Sequence, residues 1–121
     1  MNHYQRQIKK FTESRDWGKF FNPKDLLLGI VEEVGEIRNL VKWEQDPVLL
    51  RKVLKKNRIE LEDNIGDIYW LLAILANENN VDLDVAIRKV INRNKRRFPV
   101  KDVKSMHTNI HMGGKDKRYK K

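Results

Sequence analysis

The chain of 121 residues is 40% hydrophobic, carries a formal net charge of +9 and contains no cysteine. This length supports one small domain, and the lack of cysteine excludes a disulfide scaffold, a thiolate metal site and a thiol nucleophile. No eighteen apolar residues run together, so we expect a soluble, cytoplasmic protein with no membrane partner.

The first predicted element is a short amphipathic helix over residues 3–15, in which Ile8 and Phe11 are the expected buried positions. A break over residues 16–22 follows. Asn22 as an N-cap and Pro23 in the first turn then predict the start of a long helix. Apolar residues spaced three and four apart predict one buried face on a helix reaching about residue 43, namely Leu27, Ile30, Val34, Ile37 and Val41.

A second long helical segment is predicted to begin at Asp46 and Pro47 and to reach about Asn77, with a break near Asn57. Its later half has an apolar stripe and a polar stripe. The polar stripe continues into hydrophobic positions toward the end of the helix. Asn79-Asn80 predicts a turn, and a last helix capped by Asp82 or Asp84 is expected to end at Phe98-Pro99.

The positive charge is concentrated toward the C-terminus. Six basic residues lie between Arg88 and Arg97, and residues 101–121 contain seven more against two acids. We interpret residues 1–100 as the domain and residues 101–121 as a basic, flexible tail. A dedicated nucleic-acid surface is the alternative interpretation of the same charge.

Acidic side chains occur inside both long helical segments. Glu33 and Glu36 flank the predicted core stripe of the first and Glu32 lies further round, while the second carries Asp63, Asn64 and Asp67. Ionised carboxylates cannot be buried against apolar surface without a partner. Either neighbouring Lys and Arg side chains neutralise them or a metal does, and an oxygen-only site favours Mg²⁺, Mn²⁺ or Ca²⁺. Such a site suits phosphoanhydride cleavage.

Two motifs in this order carry a family resemblance over about residues 11–100. The run Glu32-Glu33-Val-Gly-Glu36 and the later Ile65-Gly66-Asp67-Ile68, followed by an apolar helix, resemble the all-α nucleoside triphosphate pyrophosphohydrolases of the MazG type. The remaining motifs resemble the dCTP pyrophosphatase branch, and they are Arg15-Asp16-Trp17, Phe20, Pro23-Lys24, Leu26-Leu27, Trp43 and the segment from Asn94 to Pro99.

The resemblance implies a four-helix-bundle-type fold that assembles as a homodimer or homotetramer. It also implies Mg²⁺-dependent hydrolysis of a nucleoside triphosphate, with dCTP-like substrates, to the monophosphate and pyrophosphate; Mn²⁺ is a possible substitute. Glu33, Glu36 and Asp67 match the family's metal ligands, with Asn64 and Asp63 beside them. The matching catalytic residues are Glu32, Glu33 and Glu36, and the nucleotide-binding positions are Trp17, Trp43, Lys89, Asn94 and Arg97.

Three positions depart from the family pattern. Asn64 replaces a glutamate and offers only a neutral carbonyl oxygen, Val90 stands where a lysine is expected, and Phe21 replaces a histidine. We therefore expect a weaker metal site and reduced activity. The alternative function is a catalytically inactive helical module that binds nucleotide or nucleic acid through its basic C-terminus.

Overall fold

The computed structural model describes residues 1–119, which form helices and turns and contain no β-strand. The all-α prediction is therefore confirmed. Within these residues, no helix combines the length and the apolar character that crossing a bilayer requires. The helices are α1 (His3–Ser14), α2 (Pro23–Val41), α3 (Pro47–Lys56), α4 (Arg58–Glu78), α5 (Leu83–Arg97) and α6 (Val100–Val103), with one-turn 3-10 helices at Gly18–Phe20, Ile110–Met112 and Lys117–Tyr119.

The starts of α2 and α3 follow the predicted local chemistry. The Asn22 side chain accepts a hydrogen bond of 2.9 Å from the backbone N–H of Asp25. Asp46 accepts one of 2.8 Å from the backbone N–H of Val48. Each cap precedes a proline, whose missing N–H costs nothing in the first helical turn. Both predicted helix starts are confirmed, and Asn57 separates α3 from α4 as expected.

Residues 1–83 form one compact unit and a second unit begins at Asp84. The predicted domain boundary at residue 100 thus lies inside the second unit, and the assignment of residues 1–100 to one domain stays a prediction. In the first unit, α2 packs against α4, α1 packs against α4, and α3 contacts both long helices. The buried core consists of Ile8, Leu26, Ala73 and Ile74, with Phe21, Trp70, Leu71, Leu75 and Leu83 packed against it.

The predicted buried face of α2 is wrong at two of its positions. Leu27 and Val34 are about half exposed, whereas Leu26 is buried. Neighbouring helix positions differ by about 100°, so α4 covers the side of α2 that carries Leu26. The prediction for Phe11 is also wrong, because its ring lies at the rim of the core and stays 37% exposed.

Gln5 is the most deeply buried large side chain of the first unit. Its Nε2 donates to Asn77 Oδ1 at 2.9 Å and to the carbonyl of Val81 at 2.7 Å. Its Oε1 accepts from the backbone N–H of Leu83 at 2.8 Å. Since every polar atom of the amide is bonded, its burial carries no unpaired group. These bonds join α1 to the end of α4 and the turn that follows.

The second unit contains most of α5, the single turn α6 and a chain of tight turns. Gly113 adopts φ +89°, a left-handed conformation that favours glycine. The next residue, Gly114, donates its N–H to the carbonyl of Asn109 at 3.0 Å. The flexibility predicted for residues 101–121 stays a prediction, and the lysine end at 120–121 lies outside the described residues.

Candidate active site

The five acids and one amide predicted to form the site lie on the two helices that pack most extensively in the first unit. Glu32, Glu33 and Glu36 are on α2, and Asp63, Asn64 and Asp67 are on α4. Glu33 and Asn64 are partly buried, while the other four are exposed. Acids three apart lie on successive turns of one helix side, and the assignment of these residues to a site stays a prediction.

Glu33 is the residue of this set whose environment is most distinctive. Its Oε2 atom is buried and has no hydrogen-bond partner among residues 1–119. Burial raises the pKa of Glu33, and the negative charges of Glu36 and Asp67 raise it further, with a smaller contribution from Glu32. A carboxylate deprived of water and surrounded by like charge favours its protonated form. The structure thus brings Glu32, Glu36 and Asp67 within electrostatic reach of Glu33.

An unpaired buried carboxylate oxygen beside other carboxylates fits a hard divalent cation. The donors are oxygen atoms only, since Asn64 would add a neutral carbonyl one turn before Asp67 on α4. Within residues 1–119, no three acidic or imidazole side chains already enclose a space of metal size.

Trp17 belongs to an aromatic cluster that the sequence analysis did not foresee. The Phe11 ring lies 5.6 Å from the Trp17 ring and 5.3 Å from the Trp70 ring, with both pairs edge-to-face. The Arg15 guanidinium lies 3.5 Å from the centre of the Phe11 ring. These contacts connect the loop after α1 to α4. Trp17 remains 41% exposed, so part of its ring is accessible to a ligand.

Trp43 has a different environment, because α2 ends two residues before it. Its side chain is 87% exposed, and the Lys42 ammonium lies 5.2 Å from its ring centre. The structure leaves this indole face open to solvent.

The predicted phosphate-end residues lie in the second unit, on α5. Lys89 is exposed. Asn94 has a buried Oδ1 atom without a hydrogen-bond partner in the described chain. Arg97 donates from Nε to Asp116 Oδ1 at 3.2 Å and from Nη2 to Asp116 Oδ2 at 2.7 Å. The sequence analysis missed the role of Asp116, although the preceding Gly113-Gly114 pair is a signal for a turn.

Comparisons with known proteins agree with this arrangement of helices. Residues 21–101 match the family model described as the MazG nucleotide pyrophosphohydrolase domain. The chain is 35% identical to dCTP pyrophosphatase 1 of Rattus norvegicus over 97 residues, which is 79% of this chain and 57% of the relative. It is 36% identical to dCTP pyrophosphatase 1 of Bos taurus over the same length and the same shares.

The solved structures include a pyrophosphatase from Archaeoglobus fulgidus that matches with a TM-score of 0.72 and 25% sequence identity. The match covers 82% of this chain and 95% of that chain. The fold of this chain is thus similar to that of the archaeal pyrophosphatase. The family match covers most of the chain, and the protein belongs to the MazG nucleotide pyrophosphohydrolase family. The chain spans 57% of the length of the mammalian relatives it matches.

Proposed function

We propose that the protein hydrolyses a nucleoside triphosphate to the monophosphate and pyrophosphate in the presence of Mg²⁺. The observation that carries this proposal is the buried, unpaired Oε2 of Glu33 beside the charges of Glu36 and Asp67. Family membership supports the same reaction. A carboxylate cluster of this kind is unfavourable in the folded protein unless a cation neutralises it.

In the proposed reaction, water attacks the α-phosphorus and the bond from that phosphorus to the bridging oxygen of the β-phosphate breaks. Pyrophosphate leaves with the bonding electron pair, and the water loses its protons to a base and to solvent. Glu32 is exposed next to Glu33 and is our candidate for the base that orients the water and accepts its proton. Glu33, Glu36 and Asp67 are the proposed Mg²⁺ ligands, with Asn64 or Asp63 as a further oxygen donor.

The bound cation would supply charge neutralisation for the phosphoryl oxygens and the leaving pyrophosphate. Mn²⁺ prefers the same oxygen donors and is the expected substitute. Because Asn64 contributes no charge, the site carries one negative charge fewer than the family pattern implies. We therefore propose weaker Mg²⁺ binding and a correspondingly lower activity.

A dCTP-like deoxynucleotide is our proposed substrate, supported by the names of the mammalian relatives. Trp17 and Trp43 are the candidate contacts to the base, since each presents an accessible indole face. Lys89, Asn94 and Arg97 are the candidate contacts to the phosphates, because two of them are cations and the third is an amide.

Pyrophosphate release from a panel of canonical and modified nucleoside triphosphates tests the reaction, in Mg²⁺, in Mn²⁺ and in chelator. We expect release that requires the metal and that falls at least about 100-fold in Glu36→Gln, because a charged group in direct contact with the reacting system is lost. Glu62→Gln is the matched control, since Glu62 is an exposed acid on α4 outside the cluster. Unchanged activity in Glu36→Gln would show that the site is wrongly assigned.

We also propose that the chain assembles as a homodimer or homotetramer. Large apolar side chains on α2, including Leu28 and Val31, are more than half exposed in the single chain. Exposed apolar surface of this kind marks an interaction face. Light scattering of the purified chain tests the assembly, and a monomer across the micromolar range would contradict it.

The distribution of charge supports a second candidate function. Residues 84–121 contain thirteen Lys and Arg against three Asp and no Glu, whereas residues 1–83 are nearly balanced. A binding module that engages nucleic acid through this basic segment would depend on phosphate contacts, so its affinity would fall steeply with salt. Fluorescence anisotropy with labelled DNA and RNA at several salt concentrations separates this function from hydrolysis, which depends foremost on the metal.

A further inference from the structure

The Arg97 guanidinium is engaged at two points by a carboxylate from the end of the chain. Asp116 accepts hydrogen bonds from Arg97 Nε at 3.2 Å and from Nη2 at 2.7 Å. This two-point geometry matches the planar fork of arginine. The Asp116 side chain is only 3% exposed and that of Arg97 is 20% exposed. The contact therefore neutralises the charge of Arg97 at a side chain that is mostly buried.

A two-glycine turn brings Asp116 to this position. Gly113 has φ +89°. A Cβ on Gly114 would overlap the backbone carbonyl of His107 and lie 2.8 Å from the carbonyl oxygen of Asn109. Only glycine allows the chain to pass so close to these carbonyls. We name residues 113–118 the C-terminal strap, because they fold back and place Asp116 on Arg97.

The strap carries its own partners for Asp116. The backbone N–H of Arg118 donates to Asp116 Oδ1 at 3.0 Å, and Arg118 Nη2 lies 3.5 Å from Asp116 Oδ2. If the strap moves away from Arg97, these groups move with the carboxylate. Asp116 would then not be left as an unpaired charge, which is the usual cost of breaking an ion pair.

There is also space for an anion beside the pair. A cavity of about 490 Å³ in the second unit is lined by three cations, two carboxylates and three apolar residues, namely Arg97, Lys115, Lys117, Asp102, Asp116, Pro99, Val103 and Ile110. A phosphate in this cavity reaches the Arg97 fork only next to the Asp116 carboxylate. The two anions repel each other there, so they compete for one guanidinium.

We propose that the C-terminal strap is an autoinhibitory contact, in which Asp116 occupies Arg97 and a polyphosphate must displace it to bind. The assignment of Arg97 to the phosphate end rests on the proposed function. The competition itself rests on the ion pair and the two-glycine turn.

The test measures binding of inorganic tripolyphosphate to the full chain by calorimetry, in chelator, so that no catalysis is needed. Asp116→Asn removes the competing charge, and Gly114→Ala displaces the strap while keeping every charge. We expect each variant to bind tripolyphosphate about tenfold more tightly, as expected for freeing a charged donor. Glu62→Gln removes an exposed carboxylate of α4 that does not line this cavity, and we expect less than about a twofold change, as for a solvated charge.

Two further comparisons make the result specific. In an Arg97→Ala background, Asp116→Asn should give no gain, because there is no longer a guanidinium to compete for. Circular dichroism verifies that Gly114→Ala is folded, and Asp116→Asn tests the same competition without a backbone change. Unchanged or weaker binding in Asp116→Asn would overturn the inference, because a carboxylate that merely positions Arg97 predicts weaker binding.

Nucleotide hydrolysis by the same variants separates the two proposals. We expect a lower KM with kcat nearly unchanged in both strap variants. If the unmodified chain hydrolyses nucleotides and neither variant binds tripolyphosphate more tightly, the strap inference fails and the proposed function stands. If both variants bind more tightly and none hydrolyses a nucleotide, the proposed function fails and the competition at Arg97 stands.

Discussion

The carboxylate of Glu33 on α2 lies close enough to Asp67 on α4 for the charge of Asp67 to raise the pKa of Glu33 across the helix contact. Partial burial raises that pKa first, and Glu36 adds to it from the next turn of α2. The packing of α2 on α4 thus forces together charges that oppose it. A cation between the two helices would convert this repulsion into attraction.

We predict that Mg²⁺ raises the melting temperature of the chain and that Glu33→Gln removes most of this effect. A ligand at about 100 times its Kd adds about 2.7 kcal/mol to the free energy of unfolding. Differential scanning fluorimetry in Mg²⁺ and in chelator measures both effects, with Glu62→Gln as the control. Equal stabilisation of Glu33→Gln and the unmodified chain would place the metal elsewhere.

The raised pKa of Glu33 predicts how Glu33→Gln changes the melting temperature when no metal is present. The folded state binds this proton more tightly than the unfolded chain does, so stability falls as the pH rises from the ordinary value of 4.5 through the raised pKa. At neutral pH in chelator, Glu33→Gln should therefore melt at a higher temperature than the unmodified chain. The difference should vanish when the pH is lowered below the ordinary value.

Replacing Asn64 tests whether the departure from the family pattern limits the metal site. Asn64→Glu restores a carboxylate three residues before Asp67, and we predict that the Mg²⁺ concentration for half-maximal pyrophosphate release falls about tenfold, equivalent to 1.4 kcal/mol. Gln45→Glu adds the same charge at an exposed position and should change little. An unchanged Mg²⁺ requirement in Asn64→Glu would mean that this position does not face the metal.

Trp43 follows the end of α2, whereas Trp70 packs against the core. We predict that replacing them has opposite effects on stability and on nucleotide binding. Trp43 is almost fully exposed, so Trp43→Ala should change the free energy of unfolding by less than about 0.5 kcal/mol and raise the KM for the nucleotide. Trp70 packs against the core and against Phe11 at 5.3 Å, so Trp70→Ala should cost about 3–5 kcal/mol. Urea unfolding measures the free energy of unfolding of both variants, and steady-state kinetics measures their KM. A KM unaffected by Trp43→Ala would remove Trp43 from the base site.

Acid should release the C-terminal strap. The hydrogen bonds from Arg97 hold the pKa of Asp116 below its ordinary value of 3.8. The folded state therefore binds this proton less tightly than the unfolded chain, so the stability from Asp116 is present above the ordinary value and is lost as the pH falls through the lowered pKa. We predict that below about pH 4 the free energy of unfolding falls more steeply in the unmodified chain than in Asp116→Asn.

Urea titrations over a pH series test this expectation. The unmodified chain should be more stable than Asp116→Asn at neutral pH, and the two should converge in acid. Asp102→Asn serves as the comparison for loss of a carboxylate outside the ion pair. Parallel curves for the unmodified chain and Asp116→Asn would show that the pair contributes no pH-dependent stability.

The features that the sequence predicted are those decided by near neighbours along the chain. Asn22 and Asp46 cap helices by hydrogen bonds to residues two or three positions away. A short stretch of sequence is therefore enough to predict these caps. Spacing also indicated that Glu33 and Glu36 share a helix side. The sequence did not predict that Leu26 is buried rather than Leu27, because this depends on where α4 lies.

The features that the sequence did not predict depend on contacts between residues far apart in the chain. Asp116 meets Arg97 across nineteen residues, and the glycine pair before it indicates a turn without indicating what the turn approaches. The distinct environment of Glu33 also depends on the opposite helix, because the charge of Asp67 on α4 acts on it. The fold class, the acidic helices and the family were therefore predictable, while the unpaired oxygen and the strap required three-dimensional structure.

The bonds made by Gln5 have a consequence for how the chain can be shortened. The family match begins at residue 21, after the whole of α1, yet Gln5 and Ile8 are among the most buried side chains of the first unit. A fragment that begins at residue 21 would expose Ala73 and Ile74 and would deprive the Leu83 amide of its acceptor. We therefore expect the smallest piece of this chain that folds independently to include α1, a helix that lies outside the range of the family match.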